Sequence, residues 1–206
     1  MNCPDTNELL RRAAGGEATA LESLFARYRD RLGRMVRVRM DPRLRARVDP
    51  SDVVQETFAA ASKKLPQYMT NQPIAFYPWL RQIAWERLVH LHDRHVRAAR
   101  RSVTREGLVR LPTPDQSSVA LADRLVGDMT SPSNAAVREE LRERVRDALD
   151  QLSEIDQEVL MQRYLEQLSS QEIAEGLGIS ENAVNKRHVR ALMRMRNSLS
   201  KDHEQG

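Results

Sequence analysis

Two helices joined by a tight turn are predicted by one stretch of this chain, LSSQEIAEGLGISENAVNKRHVRALMRMRNSL, which spans residues 168–199. Ser169 and Glu172 have the spacing of a capping box, in which each side chain bonds to the backbone N–H of the other residue. Gly176 and Gly178 favour a break after the first helix, because glycine adopts left-handed conformations without steric cost. The stretch therefore predicts a helical hairpin.

The spacing of small and branched residues indicates that this hairpin is a helix-turn-helix. Ala174 lets the two helices approach, Gly178 turns the chain, and Val184 packs the second helix, which Ser180 can cap, against the first. The second helix of such a motif enters the major groove, where asparagine pairs with adenine and lysine or arginine with guanine. A surface hairpin that binds nothing is the alternative, but the polar and basic outward face favours DNA. That face contains Asn182, Asn185, Lys186, Val189 and Arg190.

The composition predicts a protein built of helices. The chain has 206 residues, with 33 lysines and arginines against 29 aspartates and glutamates, and its net charge of +4 only weakly indicates nucleic acid. Glycine is sparse and β-branched runs are absent, which favours an all-α fold. Cys3 is the single cysteine, so an internal disulfide is excluded. We find no signal peptide and no run of about eighteen apolar residues, and we expect a cytoplasmic protein without membrane insertion.

Two small helical domains joined by a flexible linker are predicted from the apolar patterns and the prolines. Residues 1–106 form the first domain and residues 135–206 the second. Residues 107–134 contain three prolines and several serines, and are predicted to be the linker, with at most a brief turn of helix. The second domain is expected to contain four helices, the last two being the helix-turn-helix. Arginines predominate over residues 81–110 and acids over residues 113–158, which indicates separate surfaces with separate partners.

The first domain is predicted to contain three long helices. The first covers residues 17–40, where apolar side chains recur at steps of three and four. The second starts at Asp49-Pro50, a good cap followed by a proline suited to the first helical position, and ends before Pro66. A loop follows at residues 66–73, and the third helix runs from residue 74 to about residue 101.

The third of these helices opens with aromatic residues and becomes steadily more basic. This pattern suits single-stranded DNA, where bases stack on rings and cations follow the phosphates. The alternative is that the rings fill a small core, since eight of the nine aromatic residues lie in the first 85 positions. His92 and His95 have a spacing that could hold a metal, but no second ligand cluster is present, so solvated histidines are favoured. The rings concerned are Phe76, Tyr77, Trp79 and Trp85.

The order of these motifs resembles the extracytoplasmic-function class of bacterial sigma-70 factors. DVVQETF at residues 52–58 is similar to the family's motif for docking on RNA polymerase. WLRQIAWERLVHLHDRH at residues 79–95 is similar to its promoter-melting and minus-10 segment. LSEIDQEVLMQRYLEQLSSQEIAEGLGISENAVNKR at residues 152–187 is similar to its minus-35 domain. The resemblance covers roughly residues 8 to 200, and the three motifs in this order around a linker are quite specific.

The resemblance implies partners and contact residues. Core RNA polymerase, through its β′ clamp helices and β flap, and promoter DNA, both duplex and single-stranded, are the implied partners, with an anti-sigma factor as a further possibility. The implied polymerase-binding residues are Asp52, Gln55, Glu56 and Phe58. The loop at residues 67–72 is expected to hold an unstacked base, and the minus-10 contacts are Tyr68, Asn71, Trp79, Arg81 and Arg87. The minus-35 contacts are Asn182, Asn185, Lys186, Arg187, Arg190 and Arg194.

Two positions depart from the family pattern. The family often has IARN where this chain has Ile-Ala-Trp85-Glu86, and His188 stands where an aliphatic residue is usual. We expect no cofactor, no metal and no catalytic activity, because paired carboxylates, a nucleophile with its base and a phosphate loop are all absent. The alternative functions are a free-standing helix-turn-helix regulator that binds duplex DNA without polymerase, and a helical decoy that occupies polymerase without initiating.

Overall fold

The computed structural model describes residues 5–72, 74–94, 115–127 and 135–201, and the predicted all-α fold is confirmed over these ranges. The chain divides into two compact units, residues 1–111 and 112–206. The helices of the first unit are α1 (Thr6–Ala14), α2 (Ala18–Arg39), α3 (Pro42–Arg45), α4 (Pro50–Asn71) and α5 (Phe76–His92). Those of the second are α6 (Asp115–Gly127), α7 (Ala135–Asp150), α8 (Glu154–Tyr164), α9 (Ser170–Leu177) and α10 (Glu181–Lys201).

The core of the first unit lies where α2, α4 and α5 meet. Leu24 and Leu32 from α2 and Leu80 from α5 are fully buried there, together with Val53 from α4. The predicted helix at residues 17–40 is confirmed with its ends within one residue. Helix α1, which sequence reasoning missed, packs on α2 through Leu9 and Leu10.

The prediction that Pro66 ends a helix is wrong. Helix α4 continues through this residue to Asn71, and Gln72 closes it with a left-handed backbone, φ 33° and ψ 57°. Proline removes one intrahelical hydrogen bond, but Leu65 before it and Tyr68 after it are both buried, so packing outweighs the lost bond. The segment at residues 67–72, predicted to be a base-holding loop, is therefore mostly helix.

Helix α5 begins two residues later than predicted. Ala75 precedes its first turn and Pro78 lies within that turn, where backbone N–H groups have no intrahelical partner and proline is tolerated. The predicted extension toward residue 101 lies outside the described residues.

The predicted linker at residues 107–134 contains a helix of the second unit. Leu121, Ala122 and Val126 of α6 are buried, and α6 packs on α7 and α8. The prolines counted as helix breakers lie outside the bounds of α6. The described part of the second unit thus has five helices: four within residues 135–206, the number predicted there, and α6 within the predicted linker.

The helix-turn-helix forms as its local pattern predicts. Ser169 N–H donates to Glu172 Oε2 at 2.9 Å, and Glu172 N–H donates to Ser169 Oγ at 3.1 Å, which completes the capping box. Gly178 ends α9 in the left-handed conformation, φ 66° and ψ 32°, whereas Gly176 stays helical. Ser180 Oγ accepts a hydrogen bond from Ala183 N–H at 3.2 Å at the start of α10.

Candidate nucleic-acid interface

Helix α10 presents a polar face to solvent and an apolar face to its own unit. Val184, Ala191 and Met195 are buried on the inner face. On the outer face, Asn185 accepts a hydrogen bond from Ser170 Oγ on α9 at 2.7 Å, which orients its amide. The outer face therefore offers side chains with the donors and acceptors that major-groove base edges require. Its predicted contact residues Asn182, Asn185, Lys186 and Arg190 are all exposed.

Two predicted minus-35 contacts on α10, Arg187 and Arg194, are held by a buried acid. Arg187 Nη1 donates to Asp156 Oδ1 at 2.9 Å, and Arg194 Nη1 lies 3.5 Å from Asp156 Oδ2. Asp156 is only 5% exposed, and it lies in the first turn of α8, where a negative charge is favoured by the helix dipole. Asp156 therefore ties the recognition helix to the rest of the unit, a role that sequence reasoning missed.

His188 is accommodated on the inner side of α10 by a polar contact. Its Nε2 lies 3.1 Å from the hydroxyl of Tyr164, within hydrogen-bond distance. Burial, and then the nearby Arg163 cation, lower the pKa of His188 below its ordinary value, which favours the neutral ring. The histidine thus replaces the usual aliphatic contact with a hydrogen bond to α8.

Three of the predicted polymerase-binding residues are exposed and one is buried. Asp52, Gln55 and Glu56 are exposed on α4 and can touch a partner directly. Phe58 is buried, and its ring stacks on Phe25 with centroids 4.4 Å apart. Phe58 therefore supports the α4 surface from beneath.

Two of the predicted minus-10 aromatics pack on each other. Tyr68 and Trp79 stack with their ring centroids 4.4 Å apart, and the hydroxyl of Tyr68 donates to the carbonyl of Ile74 at 3.0 Å. Tyr68 is 5% exposed, so its ring serves the core and offers no open stacking face. Trp79 keeps a partly exposed edge, and Asn71 is exposed at the end of α4.

The predicted minus-10 arginines are also engaged within the first unit. Arg81 is 8% exposed and its guanidinium lies 5.8 Å from the ring centroid of Trp85, over which Arg39 also lies at 5.5 Å. Arg87 forms an ion pair of 3.0 Å with Glu56, one of the predicted polymerase contacts. Two guanidinium groups thus lie over the ring of Trp85, a residue that departs from the family pattern.

The exposed line along α5 consists of residues that are not among the predicted minus-10 contacts. Gln82, Glu86 and His90 follow one another at steps of four and are all exposed. Glu86 Oε2 lies 3.3 Å from Lys64 Nζ of α4, across a groove of about 310 Å³ between α4 and α5. The spacing of four residues between Gln82, Glu86 and His90 can be read from the sequence. Only the burial of Arg81 in the structure identifies these residues as the outer face of α5.

No metal site and no membrane span are found in the ranges that the structure describes. Those ranges contain no group of three potential metal ligands. His92 is nearly buried, with its ring nitrogens 3.8 Å from Asp41 and from Asp93, and His95 lies outside the described residues. None of the described helices is both long and apolar enough to cross a bilayer.

Comparison with known proteins gives two domain matches. The family described as sigma-70 region 2 matches residues 24–102, and the family described as sigma-70 region 4 matches residues 142–195. These ranges contain α4 and α5 in the first unit and the helix-turn-helix in the second.

The chain is also similar to known proteins beyond the two separate domain matches. A probable RNA polymerase sigma factor RfaY of Xanthomonas campestris pv. campestris is 33% identical over 72% of this chain, which spans only a third of that protein's length. The ECF RNA polymerase sigma-E factor of Haemophilus influenzae is 28% identical over 93% of each chain. The solved structure of CnrH in complex with the cytosolic domain of CnrY is similar with a TM-score of 0.55 and 26% identity, over 96% of this chain and 99% of that one. The chain belongs to the sigma-70 family of RNA polymerase sigma factors, in its extracytoplasmic-function class.

Proposed function

We propose that this protein is the initiation subunit that binds core RNA polymerase and directs it to promoters with a minus-10 and a minus-35 element. The observation that carries this function is the presence, in one chain, of a region 2 unit and a region 4 unit whose helix-turn-helix exposes a polar and basic face. A free-standing regulator needs only the second of these units.

Polymerase docking is assigned to the exposed face of the first two turns of α4. Asp52, Gln55 and Glu56 lie one helical turn or less apart, and they can meet basic side chains of the β′ clamp helices. Exposed charges of this kind contribute more to encounter rate and orientation than to affinity. The second unit is assigned to the β flap, so that polymerase holds both units of the protein.

Strand opening is assigned to the first unit. Taking a base out of the stack costs a few kcal/mol, which contacts to the extruded base and to phosphates must offset. Asn71, the edge of Trp79 and the exposed line on α5 are the groups that can make such contacts. Tyr68 and Arg81 support these residues from the core.

Minus-35 recognition is assigned to the outer face of α10. Asn185 suits adenine, and Lys186 and Arg190 suit guanine, through the hydrogen-bonding edges that these bases present in the major groove. Arg187 and Arg194 are expected to reach phosphates only in competition with Asp156.

The protein acts by binding, and no cofactor or catalytic group of its own is required. Polymerase carries out the chemistry, so this subunit functions in the cytoplasm. An anti-sigma partner is expected, because the similar sigma factor CnrH is held by the cytosolic domain of CnrY.

The direct test is transcription of fragmented genomic DNA by core polymerase with and without this protein, with mapping of RNA 5′ ends. New starts preceded by two shared short motifs are the expected result, and they would also identify the promoter sequence. Binding to core without new starts would favour the decoy, and duplex binding without any affinity for core would favour the free-standing regulator.

Within that assay, Arg190→Ala should weaken use of the minus-35 element by about tenfold, the scale of one lost base contact. Affinity for core should not change. Arg196→Ala is the matched control, because it removes the same charge from an exposed position further along α10. Loss of core affinity in Arg190→Ala would contradict the assignment of the two units.

A further inference from the structure

The groove between α4 and α5 combines apolar and charged side chains. Its apolar lining is Ala59, Ala60 and Ile83, and its charged lining contains three cations and two acids: Lys63, Lys64, Arg87, Glu56 and Glu86. Its volume of about 310 Å³ lies at the lower end of the range for small-molecule sites, so it suits one planar group rather than a folded element. An apolar lining with cations beside it is the surface on which an unpaired base lies while its phosphate meets the cations.

Glu86 determines which base this groove can accept. A carboxylate only accepts hydrogen bonds, and it has about four lone-pair positions. One oxygen of Glu86 faces Lys64 at 3.3 Å, and the side chain is 67% exposed, so acceptor positions remain for a ligand. A base with an exocyclic amino group can donate to them. Thymine has no amino group, and the carbonyl oxygens on both sides of its single edge donor, N3–H, repel the carboxylate.

Lys64 makes this acid compatible with a polyanion. An unpaired carboxylate beside a DNA strand would repel the phosphates, and the adjacent ammonium offsets that charge. The neighbouring arginines do not compete for the same role, because Arg81 is buried against Trp85 and Arg87 is paired with Glu56.

We infer that Glu86, with Lys64 beside it, is a specificity-determining residue that selects an unpaired, amino-bearing base in the minus-10 element and rejects thymine. The inference rests on the proposed function and deepens it, because it states the base preference of a groove that lies away from the loop expected to hold the base. It also gives a role to the glutamate that departs from the family pattern.

The test measures binding of non-template-strand oligonucleotides to holoenzyme assembled with core polymerase. The oligonucleotides span the mapped minus-10 element, and each amino-bearing base is replaced in turn by thymine. For the wild-type protein, thymine at one position should weaken binding about tenfold, the scale of one base contact. For Glu86→Ala the same replacement should weaken binding less than threefold. Comparing cytosine, adenine and guanine at that position identifies which amino-bearing base is taken.

Two further proteins complete the experiment. Glu86→Gln keeps one acceptor oxygen, and it should retain part of the penalty for thymine. Glu22→Ala removes an exposed acid from α2 and should behave as wild type. Equal penalties for thymine in wild type and Glu86→Ala would overturn the inference, and so would a loss of core affinity in Glu86→Ala that is independent of the DNA base. Failure of the wild-type holoenzyme to bind any of the oligonucleotides would instead count against the proposed function.

Discussion

The two units use their arginines in different ways. In the first unit Arg87 pairs with Glu56, but other guanidinium groups lie over aromatic rings. Arg31 lies 4.0 Å from the ring centroid of Tyr77, and Arg29 lies 5.6 Å from that of Phe58. In the second unit, where Tyr164 is the only aromatic residue, arginines pair with acids. Asp156 receives two of them from α10.

The difference separates two ways of making a small helical unit stable. Rings supply large apolar areas and hold the stems of arginines at the same time, so the first unit gains packing and charge burial together. The second unit has one aromatic ring, and acids hold its arginines instead: Asp123 of α6 pairs with Arg142 of α7, and Asp156 contacts two arginines of α10. Substitutions should therefore act through packing in the first unit, and through single polar contacts or backbone conformation in the second.

The largest effect is expected from Leu80→Ala, which leaves a cavity among the aromatic residues of the first unit. Leu80 is fully buried, and such truncations cost about 3 kcal/mol of unfolding free energy. Denaturant unfolding followed by tryptophan fluorescence reports on this unit alone, because both tryptophans, Trp79 and Trp85, lie within it. An unchanged fluorescence midpoint would contradict the placement of Leu80 in the core.

A smaller loss is expected from Asp156→Asn in the second unit. The substitution removes the charge that both Arg187 and Arg194 contact, and we expect a cost of about 2 kcal/mol, discounted because the two arginines are partly exposed. Circular dichroism during thermal unfolding measures it. Asp150→Asn, an exposed acid on α7, is the control and should change little. Equal effects of the two substitutions would mean that the Asp156 contacts add nothing to stability.

Two glycine substitutions should have opposite signs in the two units. Gly178→Ala puts a side chain on a left-handed residue, φ 66°, and should destabilise the second unit by about 1 kcal/mol although the added methyl group meets no neighbour. Gly33→Ala lies within α2 and meets only the flexible end of Arg37 at 3.3 Å. Its higher helix propensity should stabilise the first unit by up to about 1 kcal/mol. The unfolding midpoint of each variant is measured against that of the wild-type protein. Shifts of the same sign in the two variants would refute the backbone explanation.

The smallest effect is a pH dependence from His188. The folded protein lowers the pKa of His188, so the unfolded chain binds the proton more readily as pH falls through about 6.5. Stability of the second unit should therefore be complete above that pH and decrease below it. Unfolding midpoints at pH 7.5 and 5.5 should differ less in His188→Gln than in the wild-type protein. A wild-type protein that becomes more stable on acidification, relative to this variant, would reverse the sign and refute the prediction.

Much of the second unit was predictable because its decisive interactions are local. The capping box joins residues three apart, and the turn requires one glycine at one position, so Ser169, Glu172 and Gly178 specify the helix-turn-helix without reference to the rest of the chain. The same locality made the outer face of α10 predictable. The fold class followed from composition and helical spacing, and the order of the family motifs indicated the function.

Other features depend on contacts between distant residues, and only the tertiary structure decides them. Pro66 stays within a helix because Leu65 and Tyr68 around it are buried. Asp156 contacts Arg187 and Arg194, which are 31 and 38 positions later in the sequence. No local sequence pattern extends over such a separation. The sequence by itself determined the fold class, most of the long helices, the turn and the residue types available for DNA. The tertiary structure decided which of those residues face solvent, because burial is set by what packs against each helix and not by the helix alone.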